Sequence, residues 1–317
     1  MTSARARYLG YALLLAAGLI APFFFYPVFL MNALCFALFA CAFNLLLGYT
    51  GLLSFGHAAF FGTAAYITGY SAKVLGLSTG LAIVAGTAAA LVLGVIFGGL
   101  SIRRQGIYFA MITLALAQLV YFSCVQAKFT GAEDGLQGIP RGKLFGLLDL
   151  NNDLAMYYFV FAVFAGGFAL IVRTINSPFG QVLKAIRENE PRAISLGYDA
   201  DRYKLLAFVL SAALSGLAGA TKAIAIQLAS LTDVHWHQSG EVVLMTLLGG
   251  MGTALGPLVG AVSIAAMEHY LAAVVGEWVP VIIGVFFVVC VLAFRRGIVG
   301  ELLAALERAP RSRNPSP

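Results

Sequence analysis

Apolar and polar residues follow one another along the chain in long blocks. Apolar runs cover about Tyr8–Leu30, Asn32–Gly48, Ala58–Leu75, Leu81–Leu100, Ile107–Ala127, Leu154–Ile175 and Leu205–Leu228. Three closely spaced pieces follow, Glu241–Leu248, Leu255–Val275 and Val279–Phe294. A helix crosses the hydrocarbon layer in roughly 20 residues, so the pattern predicts an all-α polytopic membrane protein of about eight to ten transmembrane helices. Ten is the fuller reading, and the short Glu241–Leu248 piece leaves eight crossings plus a re-entrant segment as the alternative. Two breaks, Gly48–Gly56 and Gly249–Gly256, are rich in glycine and hydroxyl residues. Irregular backbone at membrane depth is tolerated where protein covers it or where it faces a cavity, so both are candidates for broken helices beside a pathway. Gly94 and Gly98 in the fourth run form a small-residue face for a neighbouring helix. Runs two to five and seven to ten begin on opposite sides, a topology compatible with an inverted repeat.

One polar stretch has a pattern of its own. Thr174–Lys204 opens with Ser177-Pro178, a hydroxyl cap followed by a proline suited to a first helical turn. Phe179, Val182, Leu183 and Ile186 then fall at i, i+3, i+4 and i+7, one apolar stripe on a short helix. Lys184, Arg187 and Glu188 lie off the stripe. Pro191 breaks the run, Ala193–Leu196 allows one further turn, and Gly197 is placed to end it in the left-handed conformation. The stretch reads as an amphipathic helix lying across one face of the protein and shaped for a partner's groove. An interfacial helix resting on headgroups, or a solvated loop, is the competing reading.

Composition sharpens this picture. The 317 residues are 61% hydrophobic and only 11% charged, against roughly 25% charged in soluble domains. The net charge of +6 does not form a nucleic-acid patch, because the basic residues sit at the ends of apolar runs. Arg5, Arg7, Arg103, Arg104, Arg173, Lys184, Arg187, Arg192, Arg202, Lys204, Arg295, Arg296, Arg308, Arg311 and Arg313 share one set of boundaries, whereas Lys73, Lys128, Arg141 and Lys143 fall on the other. The positive-inside bias places both termini and Thr174–Lys204 in the cytoplasm and the loop 128–153 outside. The basic start resembles a signal peptide, but the run after it is too long, so it reads as a retained first span. The tail from about 305 to 317, rich in Pro, Ser and Arg, reads as disordered. Cys35, Cys41, Cys124 and Cys290 all lie in apolar runs and read as buried residues, with no disulfide or zinc framework.

Enzyme chemistry finds no foothold. Gly216–Lys222 resembles a phosphate loop but has Thr221 before the lysine and no leading strand. The spacing of Gly250, Gly252 and Gly256 is wrong for a dinucleotide fingerprint. His235-Trp236-His237 lacks the ligands to complete a metal site and reads as an interfacial turn. Uphill transport would then draw on an ion gradient or on a separate ATPase. Polar residues within the runs are the pathway candidates: Asn44, Ser54, His57, Gln118, Lys222 and Glu268, with Glu241 as a partner for Lys222. Each has a plainer role, since Lys222 can snorkel and neutral groups in membranes usually serve helix packing.

Six stretches then carry a resemblance: Asn44–Tyr66 (NLLLGYTGLLSFGHAAFFGTAAY), Arg103–Gln118, Phe129–Pro140 (FTGAEDGLQGIP), Ser177–Phe208, Gly240–Ala261 (GEVVLMTLLGGMGTALGPLVGA) and Ala293–Gly300 (AFRRGIVG). Together, from about Asn32 to Gly300, they resemble the LivM-type permease of the branched-chain amino-acid ABC importers. The resemblance implies a multi-pass protein of the bacterial inner membrane, working with a second homologous permease, two cytoplasmic ATPases that hold ATP-Mg, and a periplasmic binding protein. The chain itself would be no enzyme and would hold no cofactor. Thr174–Lys204 would be the loop that couples to an ATPase. Its residues match the E-A-A-x-x-x-G form only loosely, at Glu190, Ala193 and Gly197, because Pro191 and Arg192 lengthen the spacing. Phe179, Val182, Leu183 and Ile186 are then the expected anchors, with Lys184, Arg187 and Glu190 at the rim. Gly250 and Gly252 join the pathway candidates. Glu133, Asp134, Arg141, His235 and Trp236 are available on the outer face to dock the binding protein. Leucine, isoleucine and valine are the default substrates. The same plan importing urea, amides or aromatic acids is the nearer alternative, and a stand-alone carrier or channel the more distant one.

Overall fold

The computed structural model describes residues 10, 14–144, 148–293 and 297–301. The tail at about 305–317 and the first residues of the opening apolar run lie outside them. The described chain is helical almost throughout, as expected. Its helices are α1 (Leu14–Phe23), α2 (Pro27–Thr50), α3 (His57–Lys73), α4 (Thr79–Ser101), α5 (Ile107–Gln126), α6 (Asp153–Ile175), α7 (Pro178–Glu188), α8 (Glu190–Ser195), α9 (Ala200–Ile226), α10 (Trp236–Gly249), α11 (Gly256–Val275) and α12 (Val279–Ala293). Five of them, α2, α4, α5, α6 and α9, are long and apolar enough to cross a membrane.

Most boundaries fall close to the expected ones, and three move for identifiable reasons. The first apolar run divides near Tyr26, which is extended, and Pro27 starts α2 at its first turn, so Leu30 belongs to the second helix. Helix α9 begins at Ala200, where the Asp199 side chain accepts from the Arg202 amide, well before the apolar run begins at Leu205. Helix α10 begins at Trp236, inside what reads as a turn, with His235 capping it.

Helix α9 is the centre of the bundle and packs along α2, α3 and α4. Small residues allow this. A side chain at Gly94 would lie 2.6 Å from the Ala212 Cβ, so the small-residue face of α4 meets α9. A side chain at Gly219 would collide with the Phe61 carbonyl of α3. The stretch resembling a phosphate loop is therefore a close helix contact. All four cysteines are free and buried.

The end of the bundle opposite α7 is closed by the segment between α5 and α6. It holds three strands of two residues each: β1 (Leu136–Gln137) pairs with β4 (Leu228–Ala229), which follows α9, and β2 (Lys143–Leu144) pairs with β3 (Leu148–Asp149), both antiparallel. Buried Ile139 and the Arg141 side chain hold this segment down. Arg141 donates to Asp153 at 2.5 Å and to the Ala225 carbonyl at 2.8 Å.

Candidate functional site

The polar stretch between α6 and α9 forms two short helices with well-marked ends. Ser177 accepts from the Gly180 amide at 3.4 Å and Pro178 occupies the first turn of α7, as the sequence suggests. Asn189 ends α7 in an extended conformation and starts α8, accepting from the Arg192 amide at 3.1 Å. Pro191 thus opens α8 as well as closing α7. At the far end the Gly197 amide reaches the Ile194 carbonyl and the Tyr198 amide reaches the Ala193 carbonyl, with Gly197 at φ +90. That pair of bonds is a Schellman stop.

The apolar stripe faces inward. Leu183 is 0% exposed and Ile186 2% exposed. Ile186 packs with Ala193 and Ala200, flanked by Val182 and Tyr203. Phe179 stacks on Tyr203 at 5.6 Å between ring centres. The stripe seats α7 on its own bundle, which corrects the expectation that Leu183 and Ile186 anchor in a partner's groove. Glu190 also turns inward. It accepts from Lys204 at 2.5 Å, whose side chain is 3% exposed, and from Gln105 at 3.0 Å in the α4–α5 turn. Beside exposed polar residues that include Arg187, Glu188 and Arg192, the large apolar residues of this stretch that remain outside are Ile194, Leu196 and Tyr198, at 55%, 70% and 40% exposure. The sequence hid these three because Pro191 reads as a breaker, which leaves α8 with no face of its own.

Both glycine-rich breaks come to the inner side of α7. Helix α2 ends at Thr50 with Gly51 at φ +77, and residues 51–56 run irregularly to α3. Helix α10 ends at Gly249, and Gly250 and Gly252, at φ +116 and +78, turn the chain into α11. Asn44 of α2 clamps this second break. Its Oδ1 accepts from the Gly252 amide at 2.9 Å and its Nδ2 donates to the Thr253 carbonyl at 2.9 Å. Arg187 donates to the Gly48 carbonyl, and Lys184 lies 5.5 Å from the centre of the Tyr49 ring. Gly48, Tyr49, Lys184, Arg187, Glu188 and Gly252 line a cavity of about 340 Å³.

The remaining pathway candidates scatter. Ser54 is buried and accepts from the Gly56 amide at 3.1 Å. His57 is fully buried and lies 2.9 Å from the Ser211 hydroxyl, which donates onward to the Ala42 carbonyl at 2.6 Å. The Ser211 proton is thereby committed, so the His57 Nε2 carries the hydrogen of that contact. Gln118 is half-buried on α5. Lys222 pairs with Asp233, and its ammonium lies 5.6 and 5.7 Å from the Phe36 and Phe61 ring centres. The expected partner, Glu241, instead accepts from Gln238 at 2.6 Å and faces His237 at 3.5 Å. Glu268 is half-buried on α11.

Of the residues expected on the outer face, Asp134 is exposed and Trp236 is 41% exposed. Glu133 lies in the turn Ala132–Asp134. His235 is half-buried with its ring 5.1 Å from that of Tyr121. Arg141, with a side chain 10% exposed, is committed to Asp153 and to the Ala225 carbonyl of α9, which corrects its expected role in docking.

Residues 27–291 match a family described as branched-chain amino acid transport system / permease component. The chain is 27% identical over 252 residues to the high-affinity branched-chain amino acid transport system permease protein LivM of Escherichia coli (strain K12), covering 72% of this chain and 59% of that protein. It thus spans only about three fifths of that relative's length. It is 27% identical over 193 residues to a probable branched-chain amino acid transport permease protein LivM of Methanocaldococcus jannaschii, covering 57% of this chain and 52% of that one. A probable LivH permease protein of the same organism is 26% identical over 142 residues, covering 40% of this chain and 43% of that one.

Proposed function

The chain belongs to the branched-chain amino acid transport permease family, and from that premise we propose that it is the membrane-spanning permease subunit of an ATP-driven importer of leucine, isoleucine and valine. It forms half of the pathway beside a second, homologous permease. Two cytoplasmic ATPases supply the energy, and a periplasmic binding protein delivers the substrate. The chain lies in the inner membrane with about ten crossings and both termini in the cytoplasm, the orientation favoured by its basic boundaries.

The observation that carries this reading is the placement of α7 and α8. A short helix pair is seated firmly on the bundle, touches both glycine-rich breaks from one side, and leaves an apolar patch on the other. Ile194, Leu196 and Tyr198 then become the residues that enter the ATPase groove, with α7 as the rigid seat behind them. ATP binding closes the ATPase pair, moves the two permease loops together and opens the pathway alternately to either side.

The test is co-purification in detergent with the second permease, the ATPases and the binding protein, followed by ATP hydrolysis and uptake in nanodiscs and liposomes. The reading expects an assembly whose turnover rises with leucine-loaded binding protein. An assembly indifferent to leucine, isoleucine and valine keeps the class and overturns the substrate. A chain that purifies alone and transports without ATP overturns the importer reading in favour of a carrier.

A further inference from the structure

We propose that Arg187 is the rod through which the coupling helix moves both glycine-rich breaks at once, a proposal that rests on the importer reading above. The four last carbonyls of a helix lack partners within it. At the end of α2 the Leu47 carbonyl is taken by the Gly51 amide at 3.2 Å, and the Gly48 carbonyl is taken by the guanidinium of Arg187. A cation at that place also meets the negative end of the helix dipole.

The route of the side chain is a slot made by backbone. A Cβ at Gly51 would stand 3.3 Å from the Arg187 Cγ, and one at Gly252 would stand 3.3 Å from its Nη1 and 3.4 Å from the Gly48 oxygen. Both glycines have positive φ, so the turns that form the slot and the absence of side chains in it have one cause. The back of the slot is closed by backbone too, because a Cβ at Gly48 would stand 2.7 Å from the Gly252 amide nitrogen. Asn44 fixes that approach through the Gly252 and Thr253 bonds. One side chain of α7 therefore bears on the end of α2 and on the α10–α11 turn, two places far apart in sequence. Displacement of α7 by an ATPase has no need of a separate path to each. Arg187 was expected at a partner's rim; here its guanidinium reaches the Gly48 carbonyl of the bundle, and the apolar patch offered to the partner lies on and just after α8, at Ile194, Leu196 and Tyr198.

The experiment compares wild type, Arg187→Gln and Arg187→Lys, first as the full chain in nanodiscs by hydrogen exchange, then in the assembled importer. In Arg187→Gln the amides of 48–56 and 250–255 are expected to exchange faster together, with the rest of the bundle unchanged. The assembly should keep hydrolysis within about twofold while leucine uptake per ATP falls about tenfold, the size of an ordinary coupling term. Arg187→Lys restores a donor and should recover part of the loss, less well than the forked guanidinium. Unchanged uptake per ATP in Arg187→Gln overturns the proposal. So does a fall of hydrolysis and uptake in step with loss of bound ATPase, the signature of a partner contact. Failure of both variants to accumulate also overturns it, because a rod that transmits motion is not required for folding. A wild-type chain that recruits no ATPase sinks the importer reading and the coupling role with it. A working wild type matched by Arg187→Gln sinks the coupling role alone.

Discussion

Lys222 carries its charge deep between helices, and Asp233 meets it there with side chains 14% and 3% exposed. Two aromatic rings border the ammonium, and the Asp233 carboxylate also accepts from the Ser230 amide at 3.4 Å in the capping box of its turn. Removing one member leaves the other buried without its counter-charge, which costs about 3–5 kcal/mol in comparable sites. Lys222→Met is therefore expected to lower the thermal midpoint in detergent sharply. Lys222→Met with Asp233→Asn should recover much of the loss, and a double-mutant cycle measures how much. Additive losses would mean that the two charges act independently. The sequence marks Lys222 as exceptional but points it to Glu241. Asp233 becomes its partner because residues 231–233 wind into a tight turn packed on α3, and no periodicity announces such a turn. Asn44 shows the same limit: its amide is legible as a polar group in a membrane, but its partners lie 208 and 209 residues away.

At the scale of the element, the ends of α7 and α8 are legible because caps are local chemistry. Ser177-Pro178 and Gly197 act where the sequence puts them. The direction of the stripe is not local. Phe179, Val182, Leu183 and Ile186 specify an apolar face, and a face fits a partner's groove or the chain's own bundle equally well on pattern alone. Tyr203, Ala193 and Ala200 decide it. Two substitutions separate the seat from the docking surface. Ile186→Asp places a carboxylate at a site 2% exposed, so the chain should unfold at lower temperature and accumulate poorly, whatever its partners. Leu196→Asp, at a site 70% exposed, should leave the thermal midpoint of the isolated chain unchanged and abolish co-purification of the ATPases. If Leu196→Asp retains them, the apolar patch on α8 is not the docking surface. Asn189→Ala removes the cap shared by the two helices, at a cost of about 1 kcal/mol. The expected readout is faster hydrogen exchange confined to α8.

For the whole molecule, the blocks of hydropathy mark the helices, because they are long-range averages that single contacts do not disturb, and the basic boundaries supply the direction proposed for them. The convergence of two breaks on one helix is invisible to such averages. It depends on Gly48 and Gly252 approaching backbone to backbone, and on the Arg187 side chain reaching Gly51 and Gly252. Orientation itself is open to a direct test, aided by the burial of all four native cysteines, which keeps background labelling low. Asp134 and Ser195 are both exposed, and the helix between them that is long enough to cross a membrane is α6. A single cysteine introduced as Asp134→Cys should react with an impermeant maleimide added to intact cells. Ser195→Cys should be silent in intact cells and react once the membrane is opened. Labelling of both from outside would remove α6 from the membrane-crossing set. The reverse pattern would turn the protein over, putting the α7–α8 seat outside, where no ATPase could reach it. Orientation thus decides the importer reading without transport being measured, since a coupling helix has meaning only on the side that holds ATP.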